Sequence, residues 1–337
     1  MIQRITLRGF KGVKRGTIDL SRFTVLTGGN NTGKSTILEA IFLLPNPLRN
    51  TPYGLAATTL QELHSTLESR SLLFLLHNYT AEKARVTYST DKGEVTLDFW
   101  KDNSKMLVAL RLDRSMPTTT IGWLTRGKHR LYTEGKPREV LNAAKSRCGE
   151  TLYYSPKLTK KAWEFLRGSW VKVAGQATRM AAEFTSRLVS EKYTDITLEP
   201  LLEGELSMNL YEEGKRVRLG DVGSGVQHVI TVILLHAIAA PQVLLWDDVE
   251  ASMNPRLLYY TLEWLIDLAK QGTQVILATQ SIDVVRTASI MLEDVDWATI
   301  QLLKLENGEL KAKPHTPREA QELAQAGIDI RTGDILI

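Results

Sequence analysis

Apolar positions change their rhythm several times along this chain, and each change predicts a change of element. Residues 2–27 read as short strands: Ile2–Leu7, a turn through Gly9 to Gly16, Thr17–Leu20, then the apolar run Phe23–Thr27. Ile37-Leu-Glu-Ala-Ile-Phe-Leu-Leu44 has the spacing of an amphipathic helix, stopped by Pro45-Asn-Pro47. Residues 50–82 carry leucines at 60, 63, 67, 72, 73, 75 and 76 and predict more helix. Arg85–Tyr88, Glu94–Trp100 and Met106–Leu112 have strand composition, separated by Asp91-Lys-Gly93 and Asp102-Asn-Ser104 turn signals. From 115 to 150 the pattern is weak and polar. Lys160–Leu188 predicts helix broken near Gly175, and Ile196–Leu201, Leu206–Tyr211 and Val217–Leu219 predict strands.

After Gly225 the rhythm alternates helix and strand: helices over 226–239, 256–270 and 282–289, strands over 242–246 and 273–279. Strands near 299–304 and 309–313 follow. Thr316-Pro-Arg-Glu319 is a capping box with proline at the first helical position, which predicts a last helix through Gln325. The expected organisation is α/β, with a mixed central sheet built from two separated pieces. Residues 1–48 and 215–337 form a nucleotide-binding body, and 49–214 an inserted α+β lobe.

The strand-to-helix junction at 27–37 carries the chemistry. Gly28-Gly-Asn-Asn-Thr-Gly-Lys-Ser-Thr36 matches the phosphate-binding loop pattern in full, between a strand and a helix as that motif requires. Backbone N–H groups of such a loop, from Gly28 through Asn31, Thr32 and Gly33 to Thr36, wrap a phosphate at a helix N-terminus. Lys34 reaches the β- and γ-phosphates, and the Ser35 hydroxyl ligates Mg²⁺. A nucleoside triphosphate with magnesium is the implied ligand.

Three later segments fit around it. Val243-Leu-Leu-Trp-Asp247-Asp248 is an apolar strand ending in acids, which places Asp247 on the metal and Asp248 where it could polarise a water. Gly223-Ser224-Gly225 opens a helix and is a second anion site, redundant within one subunit unless it faces a partner's γ-phosphate. Val275-Ile-Leu-Ala-Thr279-Gln280-Ser281 is a buried strand ending in polar groups.

In this order the motifs resemble those of ATP-binding-cassette ATPases, in their SMC/RecF/OLD-like branch. The opening Ile2-Gln-Arg-Ile-Thr-Leu-Arg-Gly-Phe-Lys-Gly12 and the signature-like Asp221-Val-Gly-Ser-Gly-Val-Gln227 carry the resemblance to the branch, which covers about 1–45 and 215–337. It implies a head-to-tail homodimer closing on two ATP molecules. By the same resemblance Gly28, Asn31, Gly33, Lys34, Ser35 and Thr36 fall on Walker A positions and Asp247 on the Walker B aspartate. Asp248 falls on the catalytic glutamate, Ser224 and Gly225 in the signature, Ala251–Asn254 on the D-loop and Gln280 on the switch histidine. Arg8 and Lys11 are implied near the adenine. Four positions depart from the family: Asp248 for glutamate, Gln280 for histidine, Gly223 for the signature serine, and Asn254 for aspartate. The shortened carboxylate and the non-titrating amide imply a slow ATPase acting as a timer.

Charge adds a candidate partner. Residues 101–180 hold 17 Lys/Arg against 6 Asp/Glu, a net of 17 − 6 = +11, so the rest of this +4 chain carries 4 − 11 = −7. Trp123, Tyr132, Tyr153, Tyr154, Trp163 and Trp170 lie among those cations, as on surfaces that bind DNA or RNA. A solvated lobe with inward aromatics is the competing explanation. A regulatory ATP sensor acting on a separate protein partner is the alternative function, and a transport-type cassette subunit a third, opposed by the opening hairpin. No apolar run is long enough for a membrane span, no signal-peptide layout opens the chain, and the lone Cys148 excludes an internal disulfide or cysteine-based zinc site. Cytoplasmic location is expected, with no fused nuclease.

Overall fold

The structure, a computed structural model, describes residues 1–64, 71–125, 128–189, 191–200 and 204–331. Leu67 and Leu201, which the sequence pattern assigned to helix and strand, lie outside the described residues, as do 332–337.

The described residues form a 13-stranded mixed sheet, a separate three-stranded sheet of Asp195–Pro200, Leu206–Glu212 and Lys215–Arg218, and a two-stranded one of Asn50–Thr51 and Gly54–Leu55. From one edge the large sheet runs through His129–Leu131, Thr119–Leu124, Lys105–Leu112, Gly93–Asp102 and Lys83–Thr90 to the opening hairpin, Ile2–Phe10 and Val13–Asp19. Glu309–His315 and Ala298–Glu306 follow. Phe23–Thr27, Gln274–Ala278, Val243–Asp247 and Thr151–Tyr154 complete it. Ala298–Glu306 and those last four strands run parallel, while the strands from 83 to 131 are antiparallel. Each half obeys its own pattern. Phe23–Thr27, Val243–Asp247 and Gln274–Ala278 are buried at every position, as strands covered on both faces must be. Lys83–Thr90 instead alternates buried and half-buried residues, with one face toward the core. The stretch 49–214 therefore contributes strands at both edges of this sheet.

Two predicted regions come out differently. The described residues of 50–82 hold one short α-helix, Ala56–Leu63, with 3₁₀ turns at Leu72–Leu75 and His77–Tyr79. Leu72, Leu75 and Leu76 enter the core from 3₁₀ and extended backbone, which explains the mixed spacing there. The weak stretch 115–150 contains two strands and the helix Lys136–Cys148, of which only Ala144 and Cys148 are buried. With so narrow an apolar stripe, no helical period was visible.

Two buried polar side chains bind the pieces together. Gln274 accepts from the Ile2 N–H at 3.0 Å and donates to the carbonyls of Ile2 (2.7 Å) and Ser21 (3.0 Å), fastening the N-terminal strand to a central one. Arg49 donates to the carbonyls of Phe42 and Leu44, where the phosphate-loop helix Lys34–Phe42 ends, and to Thr151 Oγ1. It neutralises the negative end of that helix. Burial pulls the guanidinium down to about 10, with Glu150 opposing the shift. Arg49→Met strands several buried carbonyls, and chemical denaturation is expected to show a loss of about 2–4 kcal/mol.

Candidate nucleotide-binding and hydrolysis site

The loop between Thr27 and Lys34 turns through positive φ at Gly28 (142°), Asn31 (59°) and Gly33 (94°). At Gly28 a Cβ would stand 2.5 Å from the Leu303 carbonyl oxygen, so only glycine fits. Thr32 Oγ1 donates to the Gly29 carbonyl at 3.0 Å and steadies the turn. Lys34, 7% exposed, extends back along the loop to donate to the carbonyls of Gly28 (2.9 Å) and Gly29 (2.7 Å). Burial lowers its ammonium, and the charges of Asp247, Asp248 and Glu250 push the other way.

That electrostatic coupling brings the two halves of the site together. The Asp247 carboxylate accepts from Tyr153 Oη at 3.1 Å, and the Ser35 hydroxyl lies near enough to it to lower its carboxyl. Burial raises the Asp247 carboxyl to about 6, reinforced by the nearby charges of Asp248 and Glu39 and opposed by those two hydroxyls. A hydroxyl and a carboxylate make a hard oxygen donor pair of the kind Mg²⁺ takes alongside phosphate and water oxygens. Among the described residues no group of three or more His, Cys, Asp and Glu is placed to hold a metal.

Asp248 follows at φ 52°, half-buried, its carboxylate accepting no hydrogen bond among the described residues. Glu250 is committed elsewhere. It accepts from Thr279 Oγ1 (2.8 Å) and from the backbone N–H groups of Gln280 (2.9 Å) and Ser281 (3.1 Å), so it fixes the end of the neighbouring strand. The Gln280 side chain is exposed, and its carbonyl accepts from Arg331 Nη1 at 2.9 Å.

The signature turn points two ways. Gly223 and Ser224 are exposed at the N-terminus of the 16-residue helix Ser224–Ala239. Gly225 is buried, and a Cβ there would lie 2.3 Å from the Ser252 carbonyl oxygen of the D-loop. Gly225→Ala forces backbone apart, and unfolding in denaturant is expected to register a loss of about 1–3 kcal/mol with nucleotide binding unchanged. Asn254 ends that loop as a helix cap, accepting from the Leu257 N–H at 2.8 Å ahead of Pro255–Lys270.

Arg8 and Lys11 separate. Arg8 is exposed and lines a groove of about 660 Å³ with Lys14, Arg15 and Leu310, the last of which packs beside Gly33. Lys11 is turned inward to an ion pair with Glu39, a buried carboxylate on the phosphate-loop helix that also bonds His64. Burial pushes the Glu39 carboxyl up, but Lys11 and His64 overcome that and hold it below its ordinary value. Tyr153 and Tyr154, read from sequence among the surface aromatics, are core residues. Tyr153 faces Asp247, and Tyr154 Oη lies 2.7 Å from His228 Nδ1 on the signature helix. The Tyr153 contact had no sequence signal: its strand pairs with Val243–Asp247 across some ninety residues.

A family model described as "AAA domain, putative AbiEii toxin, Type IV TA system" matches residues 23–286, from the strand before the phosphate loop to the helix after Gln280. The chain belongs to that AAA ATPase family. Its fold agrees with that of a solved SMC head. It superposes on the SMC head bound to the C-winged helix domain of ScpA with a TM-score of 0.56 and 14% identity, covering 95% of this chain and 99% of that one. The expected α/β class and mixed sheet are thereby found. An ATP/GTP phosphatase of Helicobacter pylori (strain ATCC 700392 / 26695) is 31% identical over 106 residues. That stretch is 29% of this ATPase domain and 27% of the phosphatase, so the match spans about a quarter of the relative. Among the described residues no helix of this ATPase domain is long and apolar enough to cross a membrane.

Proposed function

We propose that the chain is a slow, magnesium-dependent ATPase that closes head-to-tail with a second copy around two ATP molecules and couples that closed state to nucleic acid. The observation that carries the reading is a division of labour within one chain. Lys34, Ser35, Asp247 and Asp248 lie within one another's electrostatic reach, while Gly223 and Ser224 stand exposed at the N-terminus of a separate helix. The 28–36 loop cradles the phosphates, Lys34 neutralises their oxygens, and the groove at Arg8 offers a place for the base. Ser35 and Asp247 would hold the magnesium ion, which when bound draws negative charge from the phosphate oxygens. Asp248 takes the proton of a water as that water's oxygen bonds to the γ-phosphorus and the bond to the β-phosphate oxygen breaks. Its carboxylate is one methylene shorter than glutamate, which supports slow turnover without abolishing it. A ligand shifts the open–closed equilibrium only by binding the closed state better, and a triphosphate held from both sides does so.

The solved SMC head carries a protein domain, and that favours a second reading in which the closed state recruits a protein instead. Light scattering on the purified chain, with and without Mg-ATP, tests the dimer. A mass that doubles with Mg-ATP and stays single in Lys34→Ala supports the reading, and an unchanged monomer defeats it. A pull-down with and without ATP, scored for nucleic acid and for protein, separates the two partners.

A further inference from the structure

One face of the antiparallel half of the sheet carries, toward one end of its strands, a row of half-buried and exposed side chains. Lys83 stands opposite Trp100, Trp100 opposite Leu107, Leu107 opposite Trp123 and Trp123 opposite Arg130, so five adjacent strands present these residues side by side. Trp100, Leu107 and Trp123 are half-buried, while Lys83, Lys105 and Arg130 are exposed. The opposite face holds the core, with Val95, Leu97, Phe99, Val108 and Leu110 fully buried.

Cations sit on the rings. Lys83 Nζ lies 5.5 Å from the Trp100 ring centroid and Lys105 Nζ 4.5 Å from that of Trp123. The carboxylates on this face are answered: Asp98 is buried under Lys83 (2.8 Å) and Arg85 (2.7 Å), and Asp102 stands opposite Lys105. Farther along, Arg85, Arg8 and Arg15 stand opposite one another on three adjacent strands. Arg85 is paired with Asp98 and Arg15 with Glu309, and Arg8 between them is exposed.

We propose that this face is a platform for single-stranded nucleic acid, with bases laid on Trp100 and Trp123 and phosphates met by Lys105, Arg130 and Lys83. Two strand spacings, about 10 Å, separate the two rings, with Leu107 as an apolar floor between them. A duplex keeps its bases stacked inside and gives the indoles nothing to hold, whereas an unpaired strand offers both bases and phosphates. The proposal deepens the nucleic-acid part of the function above and is independent of whether hydrolysis is fast or slow.

Fluorescence anisotropy of labelled oligothymidylate and oligouridylate, each about 16 nucleotides long, against a labelled duplex of equal length tests it on the full chain. Tighter binding of a single strand than of the duplex is expected, and the oligothymidylate and oligouridylate arms tell DNA from RNA. Trp123→Ala and Trp100→Ala should each weaken single-strand binding about 10-fold, while Trp123→Phe, which keeps a ring, restores most of it. Lys105→Glu, a surface change that leaves the fold alone, should weaken binding and flatten its salt dependence. Binding of a fluorescent ATP analogue, unchanged in all four variants, shows that the body is folded. Wild-type affinity in the Trp100→Ala/Trp123→Ala double variant overturns the platform. So does a duplex preference, or a loss confined to a Lys157→Glu/Lys160→Glu control. A chain that binds the ATP analogue but no oligonucleotide loses the platform and keeps the ATPase reading. One that binds oligonucleotides through the tryptophans but fails to hydrolyse ATP loses only the latter.

Discussion

Asp248→Asn is expected to slow ATP turnover by about 10²–10⁴-fold while leaving Mg-ATP affinity within a few-fold of the parent. The amide keeps the size and the φ 52° turn of the aspartate but cannot take a proton from water. Neither Ser35 nor Asp247 is altered, so the binding side of the site survives. Steady-state phosphate release gives the rate, and equilibrium binding of a fluorescent analogue gives the affinity. The variant should accumulate in the ATP-bound state, and size-exclusion chromatography should then show a larger species that persists. Turnover close to the parent's would move the general base to another group. Glu250 is a poor replacement, since its two oxygens already serve Thr279, Gln280 and Ser281.

Lys34→Ala carries the second large effect. The ammonium is buried, anchored on the carbonyls of Gly28 and Gly29, and within the field of Asp247, Asp248 and Glu250. Removing a buried, hydrogen-bonded charge from a polyphosphate site costs about 2–5 kcal/mol, or roughly 30- to 4,000-fold in affinity. Calorimetric titration with Mg-ATP should therefore show binding weakened beyond the range of the parent. Lys34→Arg is expected to fall between, because a planar guanidinium does not fit a channel shaped for a point charge. An alanine variant that binds as tightly as the parent would mean that the phosphates lie elsewhere.

The parts of this site that sequence made legible are those whose chemistry is local. Gly28, Gly33, Lys34 and Ser35 fall within one eight-residue stretch because backbone curvature, a cation and a hydroxyl must meet one phosphate group. Asp247 was legible because an apolar strand ending in acids has few other uses behind such a loop. Tyr153 was not. It sits in a basic stretch beside other aromatics, and its burial depends on pairing with a strand that comes much later. Arg49 gave no signal either, since its function is to satisfy the carbonyls at the end of a helix seven residues behind it and the hydroxyl of Thr151. The helix Lys136–Cys148 was missed because only Ala144 and Cys148 on it are buried. Lys11 carried a resemblance-based role near the base, yet the nearest anion in the fold is Glu39.

The contact between Gly225 and the Ser252 carbonyl has a kinetic consequence. A helix start and a loop seated that tightly cannot rearrange separately, so in the proposed dimer each chain would offer its neighbour a preassembled face. Encounter between two copies then resembles the docking of rigid bodies, and stopped-flow mixing with Mg-ATP should give a single concentration-dependent phase. A slower, concentration-independent phase after it would reveal that the two loops settle one after the other.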